Sequence, residues 1–470
     1  MVAATKTETR KLATEIVRRL QTAGFAAFWV GGCVRDSLLG REPGDYDIST
    51  SARPDDIEKL FPHTVPVGRK FGVVIVVEDE QQFQIATFRA EADYRDGRRP
   101  ETVVFANAQA DAERRDFTVN GLFFDPITET LHDWVGGEAD MRARVIRTIG
   151  APEERFTEDH LRLLRAVRFA ARLGFDIEPA TFAAIQTHAA KIKLISAERV
   201  RDELIKLFAP PPAGRAGSPL PAALGKTIAG AHGVTRPTSN AARGLELLRA
   251  SGLLEHVLPE IAATVTCEQS PDFHPEGSVF NHLCLMLKQL PPDAHPSLPW
   301  AVLLHDVAKP LTASRDEATG SIHFYEHEKI GATMAEEILE RLRFPRKQIE
   351  EIAAAVIHHM QFKDALKMRK STLRRMILRE TFPLELQLHR LDCLGSHGRM
   401  DAYDFLVAQS AELAGQPEIR PPLLTGSDLI ALGLKPGKEM GALLNEIRDK
   451  QLQDELKTAD EARDWVKSRR

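Results

Sequence analysis

Residues 30–50 read VGGCVRDSLLGREPGDYDIST, and the close of this stretch governs how the remainder is read. A β-strand points alternate side chains to opposite faces, so residues two apart share a face. Asp45 and Asp47, on the strand that Asp47-Ile48-Ser49 begins, therefore aim two carboxylates at one spot. Paired carboxylates suit hard divalent cations, and phosphoryl chemistry uses such cations on its attacking and leaving oxygens. Upstream, Gly31 and Gly32 precede a short helix expected over 34–39. Amides at that N-terminus, with no Cβ in the way, are suited to hold a triphosphate beside the metals. Either half alone is an ordinary turn; the two so close together are far more specific.

Working outward, 6–20 carries Leu12, Ile16, Val17 and Leu20 at helical spacing, and Glu8 and Glu15 argue against a transit peptide. Strands are expected at 28–30, 73–77, 83–88, 103–105 and 122–124, completing a small mixed sheet up to about residue 150. From Phe156 the pattern turns helical and stays so. The exception is 209–240, rich in Pro, Gly and Ala with little periodicity, which reads as a flexible insertion. The fold class is α+β: a head with a small mixed sheet, then helices.

Composition narrows the classes. The 470 residues suffice for several domains, and 43% hydrophobic with 27% charged residues describes a globular chain. A net charge of −5 excludes a generally basic nucleic-acid binder, so any RNA site is a local patch. Cys33, Cys267, Cys284 and Cys393 lie far apart, with no Cys-x-x-Cys for a zinc ribbon or disulfide framework. No apolar run reaches membrane-spanning length, and a cytoplasmic location is expected.

Three further segments carry chemistry. In 114–120, RRDFTVN, arginine forks suit triphosphate oxygens, and Asp116 with Asn120 can pair with ribose hydroxyls. The plainer reading is a helix start with a charged first turn. In 158–165, EDHLRLLR, Asp159 and Arg162 lie three apart and share a helix face. Cytosine and adenine each show an exocyclic amine beside an unprotonated ring nitrogen. An Asp acceptor next to an Arg donor would select them and reject guanine and uracil. The plainer reading is an intrahelical ion pair. Arg165, Arg168 and Arg172 extend a basic stripe along the same helix, part of it expected to face RNA or phosphate.

These segments together resemble the nucleotidyltransferase superfamily, in particular the class II tRNA nucleotidyltransferases (CCA-adding enzymes) and the related poly(A) polymerases. The carriers are GG-x-VRD-x-LLG with DYD, RRDFT-x-N, the E-D-x-x-R of 158–162, and E-R-x-x-x-E at 198–203. The resemblance implies Mg²⁺ on the catalytic Asp45 and Asp47, and a nucleotide site of Gly31, Gly32, Arg35, Arg115, Asp116, Asn120, Asp159, Arg162 and Arg165. It implies transfer of C and/or A from CTP and ATP to a tRNA 3′ end. A-adding and poly(A)-adding enzymes share these motifs and stay open. Tyr94–Pro100 resembles the mobile loop of CCA- and A-adding members. Gln84 stands where many relatives have an acidic residue and receives no role.

Farther on, His282, His305-Asp306, His327, His358 and Asp392 follow in an order that resembles the HD metal-dependent phosphohydrolases. Imidazole with carboxylate favours a transition metal such as Ni²⁺ or Mn²⁺. An HD fold without catalysis is the alternative, and an HD phosphohydrolase whose head merely binds nucleotide is the reading from another class. The expected domains are a catalytic head at 1–150, a helical neck at 151–208, the insertion at 209–240, a helical body with the HD domain at 241–410 and a tRNA-binding tail at 411–470. Lys435 and Lys438 in that tail could grip an RNA phosphate, though a plain helical hairpin fits equally. No signal fixes an oligomeric state.

Overall fold

The computed structural model describes residues 6–65, 69–90, 104–210, 240–270, 274–416 and 421–469. Residues 94–100 of the loop motif and 211–239 of the insertion lie outside them. The chain forms two compact units, residues 1–259 and 260–470.

In chain order the head comprises α1 (Lys6–Thr22), β1 (Ala27–Val30), α2 (Gly32–Leu38), β2 (Ile48–Thr50), α3 (Pro54–Leu60), β3 (Thr64–Val65), β4 (Val73–Glu78), β5 (Gln81–Thr87), β6 (Arg89–Ala90), β7 (Val104–Phe105), α4 (Ala108–Glu113), β8 (Phe123–Asp125), β9 (Thr130–His132), α5 (Gly137–Ala143) and β10 (Val145–Ile146). Seven strands make one mixed sheet in the order β3-β4-β5-β2-β1-β8-β9. β1 is antiparallel to both neighbours, with Trp29 opposite Ile48 and Phe124, whereas β2 runs parallel to β5 with Ile48 opposite Ile85. The strand expected at 103–105 is not in this sheet. It pairs with β6, which follows β5 after Phe88, as a separate two-stranded ribbon.

Strand alternation builds two aromatic layers. Trp29 packs on Tyr46 and Phe124 on one face, at centroid distances of 4.7 and 5.8 Å. Val30, Phe88 and Phe123 bury the other face against Ala112 of α4. Tyr46, held under Trp29, is the buried residue between Asp45 and Asp47, which are both exposed. One aromatic anchor thus turns its two neighbours outward.

The helical part of this unit comprises α6 (Pro152–Glu158), α7 (Leu161–Leu173), α8 (Pro179–His188) and α9 (Ala197–Phe208). α7 buries Leu163, Leu164, Val167, Ala170 and Ala171 and stops at Gly174, whose φ of 72° suits a residue without Cβ. The helix Asn240–Ala250 belongs here and not to the body expected from 241. Gly244 lies so close to α9 that a Cβ there would meet Leu207 Cδ1 at 2.6 Å, and the Asn240 side chain donates to Arg172 O.

The second unit is helical. Val279–Lys288, Leu298–Leu304, His327–Arg341, Arg346–His358 and Phe382–Gly395 form its body, and a ribbon of Ala313–Arg315 with Ile322–Phe324 is inserted among them. Gly426–Ala431, Lys438–Leu452 and Ala459–Ser468 close on Leu429, Ile447 and Val466. Thr425 and Asp428 cap Gly426–Ala431 reciprocally. Among the described residues no helix is long and apolar enough to cross a membrane.

Candidate functional site

Asp45 and Asp47 lie in the segment leading into β2 rather than within it. Asp47 is already in register, since Val30 N donates to Asp47 O at 3.0 Å. Asp47 is exposed overall, but partial desolvation of its carboxyl and the Asp45 charge push it above the usual range, and Arg115 pulls it down. Among the described residues neither carboxylate has a salt-bridge partner. Beneath them, the Cys33 thiol faces Val30 O and Asp47 O, and burial lifts its pKa to about 12, so it is an unreactive packing group.

Around this pair the structure gathers most of the expected nucleotide site. Gly31 precedes α2 with φ 68°, and a Cβ there would sit 3.0 Å from Arg115 Nη1. Arg115 donates to Ser49 Oγ at 3.3 Å and Asp111 Oδ2 at 3.1 Å, and lies over the Phe123 ring. Arg35 donates to Asn120 Oδ1 at 2.7 Å, and Asn120 Nδ2 donates to Asp116 Oδ1 at 3.0 Å. Asp116 is buried with both oxygens engaged, Oδ1 also accepting from Phe117 N and Oδ2 from Arg165 at 2.5 Å. Burial disfavours its charge, but Arg165 and these bonds outweigh burial and hold it below the usual carboxylate range. In this structure Asp116, expected to contact the ribose, holds Asn120 and Arg165. Ser49 and the fully buried Asp111 were not singled out from sequence, although the four-residue step from Asp111 on α4 to Arg115 just past its end was a usable signal.

The base-reading pair departs from expectation. The helix breaks at Asp159, whose φ of −146° and ψ of 102° are extended, so α6 ends at Glu158 and α7 starts at Leu161. Asp159 caps α7 by accepting from Leu161 N at 3.1 Å, and its other oxygen accepts from Arg199 at 2.8 Å. Arg162 turns the other way, donating to Arg155 O at 2.9 Å and to the Glu158 carboxylate. The two are thus not side by side on one helix face, as an unbroken helix required. The basic stripe is also engaged with protein: Arg165 with Asp116, Arg168 with Glu203 at 2.5 Å, and Arg172 with Ala209 O at 2.6 Å. Glu203, of the E-R-x-x-x-E segment, thus ties α9 to α7 through Arg168.

The second centre lies wholly in the helical unit. His305, His327 and His359 direct Nδ1 at the carbonyls of Val302, Phe324 and Val356, at 2.9, 2.8 and 2.6 Å. Their Nε2 atoms converge on Asp306: 3.2 Å from His305, 3.5 Å from His327 and 3.8 Å from His359. The Nε2 atoms of His327 and His359 are 3.2 Å apart. His282 brings its Nε2 to 3.1 Å from Asp392. Burial drives His359 down to about 3, so it is neutral with its Nε2 lone pair directed inward. Imidazole nitrogens facing carboxylates are a transition-metal donor set. Among the described residues three groups have ligand atoms within 4.8 Å of one another: His274, Glu276 and His282; His282, His305 and Asp392; and Asp306, His327 and His359. His282 Nε2 and His305 Nε2 are buried and face these carboxylates without meeting hydrogen-bond geometry, as expected of atoms shaped for an ion.

His358, expected as a ligand, is corrected to His359. At the end of Arg346–His358 one residue rotates the side chain by about 100°, and His358 faces Glu385 at 3.1 Å instead. Lys309, His274 and Glu276 were not singled out from sequence; Lys309 Nζ donates to Asp306 Oδ2 at 2.7 Å.

Comparison with known proteins agrees with this geometry. Residues 27–147 match the poly A polymerase head domain, 174–216 the probable RNA and SrmB-binding site of polymerase A, and 280–381 the HD domain. The CCA-adding enzyme of Staphylococcus aureus (strain MRSA252) is 47% identical over 197 residues, 42% of this chain and 49% of that protein. The chain spans about half the length of the curated relatives it matches. The crystal structure of the Bacillus stearothermophilus CCA-adding enzyme in complex with CTP superposes with a TM-score of 0.71 at 26% identity, covering 98% of this chain and 97% of that one. A CCA-adding enzyme complexed with ATP shares the fold at a TM-score of 0.58 and 18% identity, covering 98% and 96%. The chain combines a head similar to the poly A polymerase head domain with a helical unit similar to the HD domain, and the presence of such domains implies use of divalent metal.

Proposed function

We propose that the chain is a template-independent RNA nucleotidyltransferase that adds C and A to tRNA 3′ ends from CTP and ATP. The observation that carries this reading is the Asp45–Asp47 pair, turned outward by buried Tyr46 and facing Arg115 without a salt-bridge partner among the described residues. Two repelling carboxylates with no salt-bridge partner among the described residues are a fit site for Mg²⁺, which when bound supplies charge neutralisation for phosphoryl transfer. Arg115 offers a fork to the triphosphate from beside Gly31, whose missing Cβ leaves that approach open. Arg35 holds Asn120, and Asp116 holds Asn120 and Arg165, so the nucleotide contacts are set before substrate arrives. The RNA 3′ oxygen bonds to the α-phosphorus as the bond to pyrophosphate breaks. Asp159 and Arg162 select the base once Arg162 leaves Glu158. The four free cysteines suit a reducing cytoplasm.

The test is product length. The chain is incubated with tRNA ending before CCA, lacking only the last A, or complete, with each nucleotide in turn. Extension to CCA and no farther supports this reading. Extension of the A-lacking tRNA alone marks an A-adding enzyme, and long A tracts mark a poly(A) polymerase.

The inward-facing imidazole lone pairs favour a second activity, hydrolysis of a phosphodiester by the centre of His282, His305, Asp306, His327, His359 and Asp392 with Ni²⁺ or Mn²⁺ bound. Protein purified without such a metal, and inactive on 2′,3′-cyclic nucleotides after Ni²⁺ or Mn²⁺ is added, would exclude it.

A further inference from the structure

Three of the four histidines of the second centre anchor Nδ1 on a carbonyl of their own neighbourhood, three residues back in each case. His282 does not. Its carbonyl neighbour, Gly395 O, is 3.4 Å away, whereas Glu276 Oε1 lies 2.9 Å from His282 Nδ1. The same oxygen lies 2.9 Å from His274 Nδ1, and the His274 and His282 rings meet edge to face with centroids 4.9 Å apart. Glu276 is half-buried as a residue but its side chain is only 6% exposed, and Oε2 has no hydrogen-bond partner among the described residues. A carboxylate taken this far out of water needs a purpose, and the two imidazoles are the groups it meets.

The local fold holds this acid in place. Ser278 caps Val279–Lys288 by accepting from Asn281 N, Asn281 Nδ2 donates back to Glu276 O at 3.0 Å, and Gly277 O accepts from Gln269 N. Glu276 therefore reaches His282 from the side opposite Asp392, since it meets Nδ1 while Asp392 meets Nε2. Opposite sides of one ring cannot serve one ion, which rules Glu276 out as a direct ligand to the ion that His282 Nε2 would bind.

We propose that Glu276, steadied by His274, is a positioning residue of the second metal centre: it holds His282 with its Nδ1 proton toward Glu276 and its Nε2 lone pair toward the metal. An acid partner does this more strongly than a carbonyl, because it also makes the imidazole a better donor. The inference rests on the metal-binding reading of this centre.

The test is the affinity of the metal-free full-length chain for Mn²⁺ and, separately, Ni²⁺ by titration calorimetry. The chains compared are wild type, Glu276→Leu and Glu276→Gln, with melting temperature and nucleotide incorporation by the head as controls of folding. Removing such a partner costs about 10- to 100-fold in affinity, and that loss is expected for Glu276→Leu. Glu276→Gln keeps an acceptor oxygen without the charge and is expected to fall between, at least about threefold weaker than wild type. Equal affinity of the Leu variant and wild type overturns the proposal while leaving the metal centre intact. If the Leu variant does not fold, equal affinity of the Gln variant does the same. A wild-type chain that binds neither metal overturns the underlying reading, and this proposal with it.

Discussion

Asp47 carries a liability. Its ionised carboxylate is partly desolvated and repelled by Asp45, so its folded pKa lies above the unfolded value. A carboxyl raised in this way favours folding below its unfolded pKa, about 3.9, and loses that contribution as pH rises through the folded value. Asp47→Ala should therefore abolish incorporation in a radiolabelled tRNA assay while leaving the melting temperature unchanged or higher at neutral pH. Asp47→Asn should be more stable than wild type at pH 7, with the gain vanishing below about pH 4; a thermal melt series across pH checks this. Gly31 has the opposite character. Ala there must adopt φ 68° at a cost of about 1–2 kcal/mol. Its Cβ would press on Arg115 Nη1, so Gly31→Ala should lower stability and raise the KM for CTP more than it lowers kcat. Asp-Tyr-Asp was legible because alternation and one apolar residue sufficed. The second centre was less so: two histidines adjoin at 358–359, and sequence offers no rule for which of them turns inward. His274 and Glu276 were missed because the acid contacts a histidine instead of completing a ligand pattern.

At the scale of elements, the instructive case is the break between α6 and α7. The apolar periodicity runs on through Phe156, Leu161 and Leu164, which suggested one helix. Asp is a strong helix cap, and at Asp159 capping won: the residue accepts from Leu161 N and starts a new helix. The Asp–Arg pair is consequently parted, each held by another partner, Arg199 for Asp159 and Glu158 for Arg162. Exchanging them, as Asp159→Arg with Arg162→Asp, should relax the preference for CTP and ATP. Unchanged discrimination against GTP and UTP in a single-nucleotide incorporation assay would show that this segment does not read the base. The small sheet was legible wherever β-branched and aromatic residues ran together, as in Val73–Glu78. The edge strands β3 and β9 were not, because two- and three-residue strands owe their pairing to neighbours rather than to their own pattern.

The whole molecule divides its chemistry between two compact units, with carboxylates and arginines in one and imidazoles in the other. The overall charge of −5 gave no hint of this, since the cations of the first unit are matched locally by Asp111, Asp116 and Glu203. Separate centres imply separable activities. His359→Ala should remove Ni²⁺- or Mn²⁺-dependent phosphohydrolase activity and lower metal content, while the lengths of tRNA products made from CTP and ATP stay those of wild type. A change in those lengths would mean that the two centres are not independent. The central claim, that Asp45 and Asp47 bind the cation beside a bound nucleotide, is tested most directly by a crystal soaked with CTP and Mn²⁺. The account predicts anomalous density between the two carboxylates, with the triphosphate against Gly31 and Arg115. A triphosphate bound elsewhere, with the two carboxylates splayed and no ion between them, would contradict it.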